Sequence, residues 1–300
     1  MPLITRRKFL QATAAVATTG AFAIGADATI LEPNDPQLVR VEIPLTRLPR
    51  SFDGFTIAQL SDFHYDEVFS VIPIRKAVKR VNDLHPDLIV LTGDFVTVPM
   101  PDDFLPEKSA NRYTVKEAIR TAAPCAKLLH RLRARLGVFA ILGNHDVFSA
   151  PDFITKCLSD RGIPVLRNSS IPIEVGKARF WLAGIDDVMQ GTPDLNGALN
   201  SIPKDEAVVL LSHEPDFADE ASHHPIDLQL SGHSHGGQIW LPIIGAPWLP
   251  PFARKYPRGK YQIGGLTLYT NIGLGTIRIP MRLNCTPEIT LFTLRTGRSS

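Results

Sequence analysis

Short apolar runs that alternate with helical patterns are the feature that most constrains how this chain can fold. Five such runs, bounded by glycine, proline or polar turns, cover Phe55–Leu60, Leu88–Leu91, Val138–Leu142, Val208–Leu211 and Leu228–Leu230. Runs of this kind are typical of strands that are buried on both faces of a sheet. Between them lie helical patterns, at Ile72–Leu84, Thr114–Leu136, Asp152–Arg161 and near Asp216–Ser222. The alternation predicts an α/β fold.

Further strands are predicted outside this alternation. They cover Leu38–Ile43, Ile171–Val175, Phe180–Gly184, Leu266–Asn271 and Glu288–Leu294. The second and third of these flank Gly176-Lys177, which predicts a β-hairpin. No long linker and no internal repeat divides the sequence. We therefore expect a single domain over residues 51–300, preceded by a proline-rich extension over residues 29–50.

Charge and cysteine content exclude some classes of protein. The chain has 32 Lys and Arg against 30 Asp and Glu, so its formal net charge is only +2. That balance gives no electrostatic reason to expect a stable nucleic-acid partner. The three cysteines, Cys125, Cys157 and Cys285, are too few for a disulfide scaffold and form no Cys-x-x-Cys motif. A cysteine zinc site is therefore disfavoured.

The N-terminus has the composition of an export signal. The pair Arg6-Arg7 precedes Phe9-Leu10, and the uncharged stretch Ala12–Ala26 follows. This stretch is shorter than the roughly 20 residues that span a bilayer. We predict a twin-arginine signal peptide over residues 1–28, read by the twin-arginine translocase, and a site of action in the periplasm or at the outer face of the cytoplasmic membrane. A retained membrane anchor and an ordinary basic N-terminus are the alternatives.

Each of the five apolar runs is followed by residue types that bind metals. The segments are Ser61-Asp62-Phe63-His64, Thr92-Gly93-Asp94, Gly143-Asn144-His145-Asp146, Ser212-His213 and Gly232-His233-Ser234-His235. Open α/β sheets bind ligands at the carboxyl ends of their strands, so we expect these side chains at one rim. The glycines at positions 93, 143 and 232 are expected to let the backbone turn sharply there.

Seven of these side chains form a candidate ligand set: Asp62, His64, Asp94, Asn144, His213, His233 and His235. Seven ligands are too many for one metal that keeps a position open for chemistry, and they suit two metals that share a carboxylate. Imidazole, carboxylate and amide donors favour Mn, Fe or Zn over Ca or Mg. Any one of these residues alone would more often be an ordinary core or surface residue.

The ordered set of motifs resembles the calcineurin-like metallophosphoesterase superfamily, from about Phe55 to the C-terminus. Three tail motifs are similar to the exported bacterial YkuE/YaeI-type branch of phosphodiesterases: Gly236-Gly237-Gln238, Leu274-Gly275 and Pro287-Glu288-Ile289. The resemblance implies a four-layer αββα sandwich with a dinuclear site. It assigns one metal to Asp62, His64, Asp94 and His235, and the other to Asp94, Asn144, His213 and His233.

The resemblance also implies hydrolysis of a phosphoester. A metal-bridging hydroxide would attack the phosphorus in line, and two divalent metals would stabilise the added negative charge. His145 lies outside the ligand set, and the resemblance places it over the phosphate as an acid or an electrostatic stabiliser. Asp146 is expected either to orient the His145 imidazole or to cap a turn.

Two departures from the Ser/Thr protein phosphatases of this superfamily narrow the substrate. Gly93-Asp94 continues with Phe95-Val96-Thr97, so the arginine that grips phosphate in those enzymes is absent, and Asp146 stands where they carry Glu. Both departures favour phosphodiesters or small phosphomonoesters. The alternatives are a non-catalytic metal-binding protein and a nuclease or cyclic-nucleotide phosphodiesterase. A nuclease would need a basic track, for which the sequence offers Arg254, Lys255, Arg258 and Lys260.

Residues 239–252 form an uncharged stretch with four prolines and two tryptophans, directly after the last two ligands. The prolines disfavour a long helix or a central strand. An apolar loop of this kind is expected either to pack on the domain and wall the site, or to contact a lipid-linked phosphoester at a membrane surface.

Overall fold

The computed structural model describes residues 5–100 and 107–297, in which two sheets pack face to face. The first sheet has the spatial order β1 (Gln37–Leu45), β11 (Glu288–Thr296), β2 (Thr56–Leu60), β3 (Leu88–Thr92) and β4 (Val138–Ile141). In this sheet β2, β3 and β4 are parallel, and β11 runs antiparallel to β2. Residues 1–4 of the predicted signal peptide, and residues 101–106 and 298–300 of the predicted domain, lie outside the described residues.

The second sheet has six strands. Their spatial order is β5 (Ser169–Val175), β6 (Ala178–Gly184), β7 (Val208–Leu211), β8 (Leu228–Ser231), β10 (Leu266–Thr270) and β9 (Gly259–Ile263). The four inner strands are parallel, whereas β5 and β9 pair antiparallel at the two edges. The β5–β6 pair is the hairpin predicted around Gly176-Lys177.

Helices cover the outer faces of both sheets. The first sheet carries α2 (Val71–Leu84), α3 (Glu107–Leu129) and α5 (Pro151–Ser159), and the second carries α6 (Leu195–Leu199) and α7 (Ala218–Ala221). The short helix α4 (Asn144–Ser149) follows β4, and α1 (Arg6–Ala26) precedes the sandwich. The four layers are the predicted αββα sandwich, in a single domain.

Alternation along the strands sorts the apolar side chains into three buried layers. On β2, Ile57 packs between the two sheets, whereas Ala58 and Leu60 pack in the layer beneath α2 and α3. On β7, Val209 packs between the sheets and Leu210 packs beneath α6 and α7. Successive residues of a strand point to opposite faces. Because both faces are buried, these strands are apolar at nearly every position.

The five central strands are confirmed to within one residue at each end, but the helix predicted over Thr114–Leu136 is wrong at both ends. It begins earlier, and α3 ends at Leu129. Leu132 then closes a turn by donating its N–H to the Leu129 carbonyl at 2.9 Å. The N–H of Leu136 donates to the Asp87 carbonyl at 2.7 Å, which directs the chain into β4. Leu132 stays buried in this turn, so the apolar pattern of the sequence continues beyond the point where the helix ends.

The parallel strands bring the predicted ligand segments to one rim of the sandwich. β2, β3 and β4 end side by side in the first sheet, as do β7 and β8 in the second. Gln59 is buried between the sheets and links them at this rim, because its amide donates to the Thr92 hydroxyl and to the Ser231 carbonyl, both at 2.9 Å. The strand ends of the two sheets therefore face each other across the site.

Candidate metal centre

All seven predicted ligands lie together in the buried loops at this rim. Asp62, His64, Asp94, Asn144, His213, His233 and His235 each expose 5 % of their surface or less. Three groups of three ligand atoms, each group within 4.8 Å, occur among the described residues: Asp62, His64 and His235; Asp94, His213 and His233; and His64, Asp94 and His145. Buried carboxylates and imidazoles packed this closely are able to hold metal ions.

Asp94 lies between His64 and His213. Its Oδ2 is 3.4 Å from His64 Nε2 on one side and 3.3 Å from His213 Nε2 on the other. Its Oδ1 accepts a hydrogen bond from the His145 backbone N–H at 3.0 Å. Burial alone would raise the pKa of Asp94, but the neighbouring His213 and His145 hold that pKa well below its usual range. Asp94 is therefore an ionised carboxylate placed where it can contact two cations.

Unsatisfied electron pairs in the site fit metal coordination. His213 Nδ1 lies 2.6 Å from the Thr92 carbonyl, to which it can only donate, so a neutral His213 ring would present the lone pair of Nε2 toward Asp94. His233 Nε2 donates in the same way to the Pro251 carbonyl at 2.9 Å, which leaves its Nδ1 as the ligand atom. Both His213 Nε2 and Asn144 Oδ1 are buried without a hydrogen-bond partner. Histidine ligands typically donate their other N–H to a carbonyl in this manner.

The backbone at five of the ligands is left-handed. The φ angles are 50° at Asp62, 39° at His64, 55° at Asp94, 67° at His233 and 49° at His235. Such angles are uncommon outside glycine and cost roughly 1–2 kcal/mol per residue. Strain of this kind persists where the surrounding structure enforces it, typically at functional sites. In the loops after β2 and β8, this backbone conformation turns both predicted ligands of the loop toward the same buried site.

The three strand-end glycines are needed mainly for space, and the expected sharp turn occurs at one of them. Gly93 has a φ of +94°, but Gly143 and Gly232 do not adopt positive φ. A Cβ on Gly143 would lie 2.4 Å from Asp94 Oδ1, and one on Gly232 would lie 1.9 Å from the Ser61 hydroxyl. Any side chain at these positions would push the ligand loops apart.

His145 lies on α4 beside the ligands, and a backbone contact fixes its protonation. The Val98 N–H donates to His145 Nδ1 at 3.2 Å, so the proton of the neutral ring is on Nε2. Burial lowers the pKa of His145 to about 3, which also favours the neutral ring. His145 lines the cleft above the ligands. It can therefore donate a hydrogen bond through Nε2 to an anion bound there.

Asp146 does not make the predicted orienting contact with the His145 imidazole. Its Oδ1 accepts from the N–H groups of Phe95 (2.9 Å) and Val96 (3.2 Å), and its Oδ2 accepts from the Gly143 N–H (3.0 Å). Asp146 thus follows the other expectation, that of a residue that caps a turn. It also ties the loop after β3 to the loop after β4, and thereby holds Asp94 beside Asn144.

Arg282 supports the site in a way that the sequence did not indicate. Its guanidinium is fully buried and donates to the carbonyls of Ile272 (3.0 Å), Gly273 (3.2 Å), Gly275 (2.6 Å) and Cys285 (2.9 Å). This loop lies against the first ligand, because a Cβ on Gly273 would be 2.6 Å from Asp62 Cβ. Sequence reasoning could not have found Arg282, since nothing local distinguishes it from a surface arginine.

A second overlooked feature is a pair of buried acids, Asp187 and Glu214. Burial and the neighbouring Glu214 raise the pKa of Asp187 to about 10. Asp187 Oδ1 accepts from the N–H groups of Met189 and Gln190, and Glu214 accepts from the Val188 N–H at 3.2 Å. Met189 and Gln190 line the cleft. The acid pair therefore fixes one wall of the cleft directly behind His213.

The cleft above the ligands has a volume of about 290 Å³. Its lining includes the predicted site residues Asp94, Asn144, His145, His233 and His235, together with Trp248, Pro250, Pro251, Ile277 and Arg278. Two of the four basic residues considered for a nuclease have partners outside the cleft: Lys255 pairs with Asp219 at 2.7 Å, and the Arg258 guanidinium stacks on the Trp240 ring at 3.6 Å. None of the four lines the cleft.

Comparison with known proteins identifies the family. The sequence profile of the calcineurin-like phosphoesterases matches residues 55–237. The chain belongs to this family. This calcineurin-like phosphoesterase is 35% identical over 300 residues to the uncharacterized metallophosphoesterase YkuE of Bacillus subtilis, covering 98% of the chain and 99% of that protein. It is 31% identical over 299 residues to phosphodiesterase YaeI of Escherichia coli, covering 97% and 100%.

A third relative is a transmembrane protein with a metallophosphoesterase domain from Danio rerio. It is 32% identical over 301 residues, which cover 96% of this chain and 63% of the relative. The family and the buried Asp and His groups together make this phosphoesterase a phosphoric ester hydrolase with residues suited to bind metals.

Proposed function

We propose that this phosphoesterase is a dinuclear phosphodiesterase. The observation that carries the proposal is the position of the Asp94 Oδ2 atom, 3.4 Å from His64 Nε2 on one side and 3.3 Å from His213 Nε2 on the other. One cation would be held by Asp62, His64, Asp94 and His235, and the other by Asp94, Asn144, His213 and His233. Divalent Mn, Fe or Zn, when bound there, supplies positive charge for the phosphoryl group and activates water for in-line attack.

The residues around the ligands would position the phosphate and stabilise its charge. Neutral His145 offers its Nε2–H to a phosphoryl oxygen, and the bond from the Val98 N–H keeps the ring in that tautomer. A donor held in place before the reaction costs no reorganisation when negative charge develops. The hydrogen bonds that Asp146 accepts from the Phe95 and Gly143 N–H groups keep the loops after β3 and β4 at a fixed separation.

A phosphodiester is the substrate class that the site favours. The N–H groups of Phe95 and Val96 are used by Asp146, so the segment after Asp94 serves to join loops and carries no phosphate-gripping arginine. The relative YaeI is named a phosphodiesterase. A small or a lipid-linked diester would fit the open cleft.

An activity assay of the full chain tests this proposal. After metal removal and reconstitution with Mn²⁺, Fe²⁺ or Zn²⁺, we expect bis-p-nitrophenyl phosphate to be hydrolysed with a higher kcat/KM than p-nitrophenyl phosphate. The metal-free chain, measured in parallel, is expected to be inactive. Preference for the monoester, or equal activity before and after reconstitution, would overturn the assignment.

We also propose that the protein is exported by the twin-arginine translocase and acts outside the cytoplasm. The Arg6-Arg7 pair and the apolar α1 support this. By length and composition the helical segment Arg6–Asn34 could cross a membrane, and a signal sequence near the N-terminus would pass the same test.

Replacing both arginines tests the export route. Twin-arginine signals depend on the guanidinium pair and not only on its charge. The double variant Arg6→Lys with Arg7→Lys should therefore leave the precursor in the cytoplasm. Cell fractionation measures this, with the single variant Lys8→Arg as a control that preserves the pair. Normal export of the double variant would contradict the route.

A further inference from the structure

A second groove of about 260 Å³ opens beside the metal cleft. The two share His235, Trp248, Ile277 and Arg278. Away from these residues the lining of the cleft includes ligands, whereas the groove is lined by apolar side chains that include Ile239, Pro247 and Ile279. A molecule with its phosphate over the ligands could thus extend an apolar part past Trp248 into the groove.

The loop over residues 239–252 carries two isoleucines into solvent next to this groove. Leu241 and Gly245 exchange both backbone hydrogen bonds at 2.9 Å, which closes a tight turn with Ile243 and Ile244 at its tip. Ile243 is fully exposed and Ile244 is 74% exposed. Ile243 also has a φ of +72°, which is strained for a β-branched residue. Neither the exposure of this position nor its backbone conformation favours isoleucine. The stability of the fold therefore does not explain why Ile243 is there.

The sequence left two roles open for this loop, and the structure contains features of both. Trp248 lines the cleft and the groove, as a wall of the site would. The tip residues Ile243 and Ile244, by contrast, are exposed, and Phe252 of the same loop and Ile279 of the groove are partly exposed. We call these four residues the apolar rim. Exposed apolar groups grouped on one loop and its adjoining groove indicate an interaction surface.

Two arginines stack on the tryptophans of the loop over residues 239–252. The Arg278 guanidinium lies 4.4 Å from the centre of the Trp248 ring, and the Arg258 guanidinium lies 3.6 Å from that of Trp240. Tryptophan combined with cationic side chains is the composition found at the headgroup layer of a bilayer. The charge is complementary to anionic lipid headgroups, each of which carries a phosphodiester.

The segment that follows α1 reaches the domain next to the same loop. Glu32 accepts a hydrogen bond from the Asn284 N–H at 3.0 Å, and the Asn284 side chain donates to the Trp240 carbonyl at 3.1 Å. By length and composition, Arg6–Asn34 could cross a membrane. This segment therefore reaches the loop over residues 239–252 at Trp240.

We propose that the apolar rim docks on an anionic lipid bilayer, and that the groove holds the hydrocarbon chain of a lipid phosphodiester whose phosphate reaches the ligands. Ile243 and Ile244 insert among the headgroups. Arg278 lies where the hydrocarbon chain of the lipid joins its phosphate. The binding of the hydrocarbon chain in the groove rests on the proposed phosphodiesterase function, whereas docking on the bilayer does not. The substrate class is thus a membrane phospholipid or a similarly built lipid diester.

Docking is tested by site-specific fluorescence on the full chain in vesicles. The three native cysteines are buried, so Ile243→Cys can be labelled selectively with an environment-sensitive fluorophore. Ile119→Cys is the matched control, an exposed isoleucine on the outer helix α3. In vesicles of phosphatidylcholine and phosphatidylglycerol, lipid-borne quenchers should quench the label at 243 and not at 119. Equal quenching at both positions, or none at 243, as for a protein-binding surface, would overturn docking.

The use of a membrane-borne diester as substrate is tested by comparing a lipid and a soluble substrate. Asparagine is polar and tolerates the left-handed backbone, so Ile243→Asn with Ile244→Asn should fold normally. We expect it to release headgroups from vesicle phosphatidylglycerol about tenfold more slowly, with bis-p-nitrophenyl phosphate hydrolysis unchanged; Ile119→Asn should change neither. Equal loss on both substrates would overturn the inference. An inactive wild-type chain would instead refute the proposed function, and the fluorescence result would still decide docking.

Discussion

Replacing Asp94 with asparagine is expected to lower turnover of bis-p-nitrophenyl phosphate by about 10³-fold or more while the protein stays folded. Asparagine keeps the shape of the side chain, and its carbonyl can still accept from the His145 N–H. It removes the negative charge that faces both His64 and His213. A loss of about 4 kcal/mol of transition-state stabilisation, the scale expected for a metal site, corresponds to about 10³-fold.

The matched control for this variant is Asp152→Asn, which removes the same charge from a fully exposed carboxylate. Its activity should equal that of the wild type, and both variants should keep the circular dichroism spectrum of the wild type. If Asp94→Asn retained more than about a tenth of the wild-type rate, Asp94 could not be the shared ligand.

Replacing His145 with alanine should cost about 10²–10³ in kcat, the range found for loss of a single preorganised donor to a developing anion. The metal content should not change, because His145 is outside the seven-residue ligand set. Since the Val98 N–H fixes a neutral ring, His145 acts as a hydrogen-bond donor, and the loss should be similar for good and poor leaving groups. His223 is exposed, so the control variant His223→Ala should have the kcat of the wild type.

Leaving-group dependence separates the two roles predicted for His145. A general acid matters little when the leaving group is already stable as an anion. A series of aryl and alkyl methyl phosphates therefore gives a decisive comparison. If the loss in His145→Ala shrinks steadily as the pKa of the leaving group falls, the residue protonates the leaving group and the donor role is wrong.

The clustering of the seven predicted ligands could be foreseen because its information is local. Each ligand follows a buried strand within a few residues, and parallel strands must end at the same rim. The role of Asp146 could not be settled in this way. Whether its carboxylate turns toward His145 or toward the Phe95 N–H depends on how two loops 51 residues apart in sequence meet. The sequence contains both partners but not their distance.

Features that depend on tertiary packing were less predictable. Arg282 is an ordinary basic residue in the sequence, and only the folded loop supplies the four carbonyls that compensate its burial. The end of α3 was misplaced because Leu132 continues the apolar period while the backbone already turns. Gly232 was expected to serve a turn, but the constraint is the Ser61 hydroxyl from a different loop.

The most direct test of the dinuclear site is the metal content of the active chain, measured by inductively coupled plasma mass spectrometry while metal is titrated against turnover. We predict two divalent ions per chain at full activity, and loss of the shared ligand in Asp94→Asn should deplete both. Full activity with one ion or none per chain, or an Asp94→Asn variant that still holds two, would contradict the assignment.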